Sequence, residues 1–382
     1  MAETAGADEP NAFTSADSDR VHALRLALVP GVGPKIRRVL LERFGSAEAV
    51  LRAPPAALRE VPGVGPKLSA RLAAAMDQID AEAEIALCQA HDVRILMEAD
   101  PGYPPLLRQV PDPPGVLFVR GTLRAQDELA LAIVGTRHPT MYGVRQAERL
   151  AGSLARAGMT IISGLARGID AAAHRGALGA GGRTLAVLAS GVLNIYPPEH
   201  AELARSVVEH GALLSESPPR AEPLAGAFPQ RNRIISGLAL GVLVVEAGDH
   251  SGALITARHA MEQGREVFAV PGRIDDRTSR GCHRLIRDGA KLVETVKDIL
   301  EELGPLYQAT VRDDGQVVRH PAELSLNEVE QQVLSAIGDR ATAIDQIVAE
   351  TGLPVPQVLS TLSVLEMRHV IRRLSGSTVA RI

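Results

Sequence analysis

Short apolar runs alternate with longer stretches of helical periodicity between residues 129 and 303, and this alternation restricts the fold more than any other sequence feature. A run that is apolar throughout indicates a strand buried on both faces. Such runs predict strands at 129–134, 160–162, 184–188, 212–214, 241–245 and 267–270. Helices are predicted between them at 142–157, 169–178, 200–210 and 251–263. Because helices that separate strands favour a parallel sheet, we predict an α/β, doubly wound core.

Turns rich in glycine and arginine follow two adjacent strands of this predicted sheet. In such sheets, ligands bind beyond the carboxyl ends of the strands. Glycine lets the backbone approach a ligand, a helix N-terminus favours an anion, and arginine binds phosphate through two hydrogen bonds. Each turn alone is also consistent with a tight strand-to-helix connection, whereas the two together predict a site for an extended phosphorylated ligand. The predicted phosphate contacts of these turns are Gly135, Thr136, Arg137, Ser163, Gly164 and Arg167.

The run FPQRNRIISG at 228–237 places an aromatic ring, two arginines and an amide close together. Stacking surfaces combined with phosphate neutralisation are what a single-stranded nucleic acid requires. The alternative is a helix start with exposed arginines and a buried phenylalanine. Ser251 and Gly252 open a further predicted helix and are a phosphate-compatible start. The residues predicted to flank a nucleic-acid strand are Phe228, Arg231, Asn232 and Arg233.

An internal repeat lies in the N-terminal part of the chain, where VPGVGPK at 29–35 recurs at 61–67. Helical patterns flank each copy, and its prolines and glycines are suited to ending one helix and beginning the next. Each copy resembles a helix-hairpin-helix module, whose hairpin presents backbone N–H groups to a phosphate. The alternative is a pair of tight turns that only pack. The predicted auxiliary contacts are Gly31, Gly33, Lys35, Gly63, Gly65 and Lys67.

The same patterns divide the chain into segments. A proline-rich connector with a short strand near 116–120 precedes the alternating segment. Three helical patterns and two strand patterns after residue 325 predict a winged helix. Its third helix is not basic, which favours a protein-interaction or accessory role over the reading of duplex DNA. The predicted segments are an acidic disordered tail (1–19), an all-α helix-hairpin-helix or SAM-like domain (20–90), the core (91–303), a linker (304–324) and the winged helix (325–382).

Composition and missing motifs exclude several classes. A net charge of −4 on 382 residues is not that of a uniformly basic nucleic-acid coat, so basic contacts have to be local. Cys88 and Cys282 are too few for a disulfide framework and indicate a reduced, intracellular protein. A signal segment and a membrane-spanning run are both absent from the pattern, so we expect a soluble, cytoplasmic protein. Nothing supports a P-loop ATPase, a dehydrogenase or a metal site.

The longest motifs together resemble the DNA-processing protein A family, also called DprA or Smf. They are IVGTR at 133–137, SGLARGIDAAAH at 163–174, FPQRNRIISG at 228–237, and the stretch from Ser251 to VFAVPG at 267–272. The resemblance extends over nearly the whole chain. It implies an extended Rossmann-like core between a helix-hairpin-helix or SAM-like domain and a winged-helix domain.

This resemblance implies a protein that binds incoming single-stranded DNA during natural transformation, protects it and loads the RecA recombinase on it. It also implies a homodimer that needs no cofactor, no metal and no catalytic residue. A single-strand-binding protein is a further candidate partner, and no membrane contact is expected. Carried over by motif, the two turns hold DNA phosphate, and the 228–233 residues flank the strand, with Phe228 against a base or supporting the loop.

Two other functions remain open at the level of sequence. The core also resembles that of the lysine-decarboxylase-like phosphoribohydrolases, which bind one nucleotide; Glu246 would then be the acid. Those enzymes carry a P-G-G-x-G-T-x-x-E loop, and the stretch at 248–256 lacks its glycine pair and its glutamate spacing. The second of these functions is that of a winged-helix regulator with a ligand-sensing core.

Overall fold

The structure is a computed structural model that describes residues 15–303, 310–311, 317–318, 326–338, 341–368, 370–374 and 377–381. The chain divides into two compact units, Met1–Tyr103 with Asp112–Phe118, and Pro104–Pro111 with Val119–Ile382. Most of the predicted acidic tail lies outside the described residues. The first helix begins at Ser15, however, so residues 15–19 of that predicted tail are helical.

The first unit is mainly helical, as the repeat predicts. Gly33 and Gly65 are the N-cap residues of two equivalent helices, and each is followed by a proline at the first helical position. Proline suits that position because its fixed φ is helical and its missing N–H would have no intrahelical partner. The elements are α1 (Ser15–Leu28), α2 (Pro34–Phe44), α3 (Ala47–Leu51), α4 (Pro55–Leu58), α5 (Pro66–Gln78), α6 (Ala81–Ala90) and β1 (Val93–Met97).

The two hairpins of the repeat pack on each other reciprocally. Gly31 and Gly63 have φ angles of 100° and 87°, which glycine adopts without strain. A Cβ atom on Gly31 would lie 3.5 Å from Cδ1 of Leu68, and one on Gly63 would lie 3.8 Å from Cγ1 of Ile36. Ile36 and Leu68 occupy equivalent positions of the repeat, so each hairpin turn packs on the helix that follows the other. The predicted tandem of hairpins is confirmed.

The second unit contains a parallel sheet. Its strands lie in the order β6–β5–β4–β3–β7–β8–β9. β3 pairs with β4 on one side and with β7 on the other, with Leu131 opposite Gly241 in the second pair. The chain therefore reverses its winding direction between β3 and β7. The bounds are β3 (Ala130–Val134), β4 (Thr160–Ser163), β5 (Thr184–Val187), β6 (Gly211–Ser215), β7 (Gly241–Val244), β8 (Glu266–Ala269) and β9 (Lys291–Leu292).

Helices cover this sheet and bury its strands. All five residues of β3 and all four of β7 are buried, which explains their uniformly apolar sequences. The core includes Leu131 and Ile133 from β3, together with Leu150 and Ile169 from the helices that follow β3 and β4. The helices are α7 (Pro105–Arg108), α8 (Met141–Arg156), α9 (Ile169–Gly179), α10 (Ala201–His210), α11 (Ala227–Gly237), α12 (Ala253–Glu262), α13 (Arg280–Arg287) and α14 (Val296–Leu303).

The predicted strands and helices of the core are confirmed to within three residues at their ends. The strand predicted near 116–120 is β2, Val116–Gly121. Within residues 91–303, the elements that were not predicted are β1, α7, β9, α13 and α14. The two residues of β9 are exposed, so they carry no buried apolar run that would mark a strand.

The winged helix has its own core. It consists of α15 (Glu328–Ser335), α16 (Ile344–Thr351) and α17 (Val355–Met367), with β13 (Ile371–Arg373) and β14 (Thr378–Arg381). β14 pairs antiparallel with β13 and with the short β12 (Thr342–Ala343), which was not predicted. Most of the predicted linker lies outside the described residues. Within it, β10 (Thr310–Val311) and β11 (Val317–Val318) pair antiparallel.

Both cysteines are buried and reduced. Cys88 is 1% exposed and Cys282 is not exposed at all. Burial raises the pKa of each thiol to about 12, with a smaller contribution from a nearby glutamate. Within the described residues, the structure contains no helix with the length and apolarity that crossing a membrane requires.

Candidate nucleic-acid interface

An open cleft of about 510 Å³ lies in the second unit, where the winding direction of the sheet reverses. Ligands of doubly wound sheets bind at this place because two neighbouring loops diverge there. Eight of the twelve site residues predicted in the core meet here. Its lining includes Gly135, Thr136, Arg137, His138, Asp170, Phe228, Arg231, Asn232, His250, Ser251 and Gly252.

Arg137 and Phe228 form the centre of the cleft. The exposed guanidinium of Arg137 lies over the ring of Phe228, with its carbon atom 4.8 Å from the ring centroid. The ring of Tyr196 meets Phe228 edge-on, with centroids 5.9 Å apart and planes at 65°. A cation above an aromatic ring, with a second ring beside it, can stack bases and neutralise phosphate at one point.

Arg231 is a buried cation at the floor of the cleft. Its side chain donates a hydrogen bond to the carbonyl of Val187, and its Nε has no hydrogen-bond partner among the described residues. Burial lowers the pKa of Arg231 to about 10, while Asp170 acts in the opposite direction. The guanidinium therefore stays charged at neutral pH. Arg231 is only 6% exposed and its unpartnered Nε is itself buried, so this cation retains an unmet hydrogen-bonding capacity beneath the cleft.

Asp170 is the buried carboxylate beside Arg231. Burial raises the pKa of Asp170, and Arg231 together with hydrogen bonds from the backbone of residues 166 and 164 lowers it in part. The carboxylate accepts the N–H of Ala166 at 3.4 Å, in the turn before α9. Asp170 thus holds that turn and partly balances the charge of Arg231.

The predicted phosphate contacts after β4 have different surroundings. Ser163 is fully buried, and its hydroxyl donates to the carbonyl of Ile133 at 2.6 Å. A Cβ atom on Gly164 would lie 2.1 Å from Nη1 of Arg231, so only glycine leaves room for that guanidinium. Arg167 is exposed and lies 2.5 Å from Glu199, which raises the pKa of Arg167. Arg167 is thus the exposed charge of this turn, whereas Ser163 supports the turn from beneath.

The two arginines of the 228–237 run point to different places. Arg233 is buried and lies 2.5 Å from Glu216, and it is not part of the cleft lining. Asn232 lines the cleft and donates to the carbonyl of Gly252 at 3.3 Å, which joins α11 to the start of α12. The predicted helix-start alternative for this run is correct in part, because α11 begins at Ala227. The rest of that alternative is wrong, because Phe228 is only half-buried and Arg231 and Arg233 are buried rather than exposed.

The start of α12 contributes Ser251 and exposed Gly252 to the cleft. The hydroxyl of Ser251 accepts the N–H of Ala253 at 3.3 Å. The next two N–H groups, of Leu254 and Ile255, donate to carbonyls three residues earlier. Because these three N–H groups already have acceptors, the start of α12 offers small side chains and backbone to the cleft, not unpaired N–H donors.

Tyr196 lies beside the cleft, in a smaller pocket that it shares with Arg137, Phe228 and Arg231, and it was not predicted from the sequence. It lies in the loop after β5, far in sequence from Phe228, and is joined to Pro197 by a cis peptide bond. Tyr196 also interacts with Arg167 and contributes, after Glu199, to the raised pKa of that arginine. Aromatic residues are rare in this chain, which contains four tyrosines, five phenylalanines and no tryptophan. Tyr196 could therefore have been singled out from the sequence.

Glu246, the acid of the nucleotide-enzyme alternative, is 2% exposed. Its carboxylate accepts two hydrogen bonds from Thr140, from the N–H at 2.9 Å and from the hydroxyl at 2.5 Å. It is not part of the cleft lining. In the described part of the chain, His, Cys, Asp and Glu side chains form no group of three that could hold a metal ion.

The predicted auxiliary residues lie in the first unit. Gly31 and Gly33 are exposed at the turn before α2, and Gly63 and Gly65 at the turn before α5; Lys35 and Lys67 are exposed in the first turns of these two helices. Neither helix start is capped by a side chain. Each turn therefore presents a lysine next to an uncapped helix N-terminus, which is what a phosphate contact of a hairpin requires.

Comparison with known protein families gives three matches along the chain. A family described as DNA recombination-mediator protein A matches residues 94–304. A DprA winged helix domain matches residues 315–377, and a SAM-like helix-hairpin-helix tandem matches residues 23–77. The predicted fold class, with an α/β core between these two terminal domains, is thereby confirmed.

Individual relatives are similar over much of their length. The chain is 36% identical to Protein Smf of Synechocystis, over 96% of this chain and 100% of that protein. It is 45% identical to Protein Smf of Escherichia coli, over 72% and 74% of the two chains. Among solved structures, DNA processing protein A of Streptococcus pneumoniae matches with a TM-score of 0.63 at 35% identity, over 74% of this chain and 96% of that one.

A further solved structure concerns a single-stranded DNA binding mode. It is that of DNA processing protein A from Helicobacter pylori. It matches with a TM-score of 0.51 at 29% identity, over 56% of this chain and 97% of the other.

Proposed function

The chain belongs to the DNA recombination-mediator protein A family, also called DprA or Smf, and from this premise we propose that it binds single-stranded DNA in the cleft of its second unit. The observation that carries the proposal is the stack of Arg137 on Phe228, with Tyr196 at the ring edge. The described binding mode of the Helicobacter pylori relative supports it.

The cleft suits a single strand better than a duplex. An aromatic ring stacks on an unpaired base of any sequence, since every base has a π-face. Exposed Arg137 and the half-satisfied, buried Arg231 supply charge for the phosphates on either side of such a base. We assign Arg137, Phe228 and Arg231 to direct contact, with Gly135, Thr136, Ser251 and Gly252 as backbone and hydroxyl neighbours.

The remaining predicted residues are proposed for other roles. Arg167 meets phosphate at the outer edge of the cleft after release from Glu199. Ser163, Gly164, Asn232 and Arg233 shape the loops that carry the contacts. This assignment follows from the burial of Ser163 and Arg233 and from the space that Gly164 leaves for Arg231.

The cellular role we propose is the one that family membership suggests. The protein binds incoming single-stranded DNA in the cytoplasm during natural transformation, protects it and loads RecA on it as a homodimer. A single-strand-binding protein is a further proposed partner. The hairpins at Lys35 and Lys67 add auxiliary phosphate contacts, and the winged helix serves a partner protein or an accessory role.

The first experiment is a fluorescence-anisotropy titration of the full chain, without ATP, against matched single- and double-stranded oligonucleotides at two salt concentrations. We expect preference for the single strand and an affinity that falls with salt, because phosphate contacts release counterions. Absence of single-strand affinity at both salt concentrations would contradict the proposal. The nucleotide-enzyme alternative would then be tested by release of free base from nucleoside monophosphates, although its acid, Glu246, is engaged with Thr140.

A further inference from the structure

Glu246 contacts both ends of the loop that carries Arg137. Its backbone carbonyl accepts the N–H of Thr136 at 2.7 Å. Its carboxylate accepts the N–H of Thr140 at Oε2, 2.9 Å away, and the hydroxyl of Thr140 at Oε1, 2.5 Å away. A single residue therefore holds the loop on either side of Arg137.

Two glycines leave the space in which Glu246 lies. A Cβ atom on Gly143 would lie 2.3 Å from Oε2 of Glu246, and one on Gly135 would lie 2.8 Å from its backbone oxygen. Both distances are too short for a side chain at either position. The loop and the first turn of α8 thus fit closely around this carboxylate, so a shift of Glu246 has to move the loop.

Buried carboxylates are costly unless hydrogen bonds or positive charge compensate them. Glu246 is 2% exposed, and its compensation comes from Thr140 and from the positive end of the sixteen-residue helix α8. The hydroxyl of Thr140 also accepts the N–H of Gly143 at 3.2 Å, which caps that helix. The start of α8 is therefore already occupied by an anion. A phosphate in the cleft has to meet the side chain of Arg137 rather than this helix end.

We propose that Glu246 is a positioning residue of the DNA site: it orders the 135–140 loop and thereby holds the guanidinium of Arg137 over Phe228. This inference rests on the proposed binding of single-stranded DNA. Glu246 itself touches no DNA, since it lies outside the cleft lining and beneath the loop.

The direction of the change in DNA affinity distinguishes a positioning role of Glu246 from a purely electrostatic one. Neutralising a carboxylate beside a phosphate site removes a repulsive charge, which by itself strengthens DNA binding. A positioning role predicts that the same change weakens DNA binding. Glu246→Gln keeps the shape of the side chain but replaces one carboxylate oxygen by an NH2 group. Thr140 donates two hydrogen bonds to the carboxylate, and the NH2 group cannot accept one of them, so one hydrogen bond is lost. We expect about a tenfold weaker affinity for single-stranded DNA, the scale of one charge-assisted hydrogen bond.

The test is a double-mutant cycle on the full chain with Arg137→Ala, measured by anisotropy with one single-stranded oligonucleotide. If Glu246 acts through Arg137, Glu246→Gln weakens binding in the native chain and has no further effect once Arg137 is absent. Additive losses, or unchanged or tighter binding by Glu246→Gln alone, overturn the inference. A native chain that does not bind the oligonucleotide overturns the proposed function instead, which keeps the two failures distinct.

Two sets of controls address stability. Asp127→Asn neutralises another carboxylate, which is partly buried, pairs with Arg183 2.5 Å away and lies outside the cleft. It is expected to lower the unfolding midpoint without changing DNA affinity. Thr140→Ser keeps the hydroxyl that bonds Glu246 and is expected to bind DNA normally, whereas Thr140→Val removes it and is expected to bind about tenfold more weakly. Equal affinities for these two variants overturn the inference even if Glu246→Gln does not fold.

Discussion

At the scale of single residues, two neighbouring arginines that look equivalent in the sequence have different surroundings in the structure. Arg231 and Arg233 are two residues apart on α11, and residues at that spacing on a helix do not face the same way. Arg231 reaches the cleft, whereas Arg233 is buried against Glu216. Arg137 is the exposed cation of the same cleft, and its contribution is the most direct to measure.

Arg137→Ala is expected to weaken single-stranded DNA binding by about 1.5–3 kcal/mol, the range of hydrogen bonds to charged groups. The slope of log affinity against log salt is expected to fall by about 0.7, which corresponds to one phosphate contact on a single strand. Salt-dependent anisotropy measures both quantities. Arg205→Ala is a matched control, because Arg205 is exposed on α10 and pairs with Glu202 away from the cleft. An Arg137→Ala slope equal to that of the control would disprove the phosphate contact.

Arg137→Lys separates charge from stacking. Lysine keeps the positive charge but lacks the planar guanidinium that lies over Phe228. The salt slope is therefore expected to stay close to that of the native chain while the affinity falls. Full affinity in this variant would show that charge alone accounts for the contribution of Arg137.

His174 ties the stability of the core to pH. It is fully buried, its Nδ1 lies 2.7 Å from the hydroxyl of Thr184, and its Nε2 has no partner among the described residues. Burial lowers its pKa to about 3 from 6.5. Between these values the unfolded chain binds a proton that the folded chain does not, so stability is present above pH 6.5 and declines as the pH falls toward 3. The decline from this residue approaches about 1.4 kcal/mol per pH unit.

Urea unfolding midpoints at pH 7.5, 6 and 5 test this assignment. His174→Gln is expected to be less stable at pH 7.5 but to lose less stability on acidification than the native chain. His91→Gln is the control, since His91 is exposed. Parallel pH profiles for the native chain and His174→Gln would refute a link between this histidine and acid sensitivity.

At the scale of elements, the hairpins of the first unit provide the clearest test. Lys35 and Lys67 are exposed at equivalent positions beside uncapped helix starts. If both meet phosphate, replacing both by alanine is expected to lower the salt slope for single-stranded DNA by about 1.4, twice the value of one contact. Thermal unfolding is expected to be unchanged, since both side chains are exposed. Unchanged affinity and slope would identify the hairpins as packing elements; Arg52→Ala, at an exposed site of the same unit, is the control.

Elements with a strong internal pattern could be predicted, and those without one could not. β3 and β7 are buried on both faces, so their sequences are uniformly apolar. The exposed pair of residues in β9 has no such pattern. The residues of the candidate site likewise divide into those that belong to a local sequence motif and those that do not. Arg137 and Phe228 stand in local motifs, whereas Tyr196 reaches Phe228 only through the fold, and the inward direction of Ser163 depends on where β4 ends.

At the scale of the whole molecule, the winged helix is expected to be dispensable for the cleft. It has a core of its own, with Val333, Leu362 and Val379 fully buried. Its helix α17 contains no lysine or arginine, and Val355, Leu359 and Met367 are exposed on it. A helix of this kind suits a protein partner better than a phosphate backbone.

Deleting residues 325–382 is therefore expected to leave most single-strand affinity intact, within about threefold, as measured by the same anisotropy titration. The salt slope is expected to stay nearly the same, because α17 carries no basic side chain and exposed Arg373 of β13 is paired with Glu366. A loss of affinity of tenfold or more, in a chain whose circular dichroism shows a folded core, would mean that the winged helix contributes directly to DNA binding.

The burial of both cysteines has a practical consequence for labelling. Maleimide dyes react with the thiolate, and a thiol with a pKa near 12 that no reagent can reach forms almost none at pH 7. A cysteine placed on an exposed site, such as Leu224→Cys at a position 68% exposed, should therefore take up the dye alone in the folded chain. Site-specific fluorophores can thus be attached with Cys88 and Cys282 left in place.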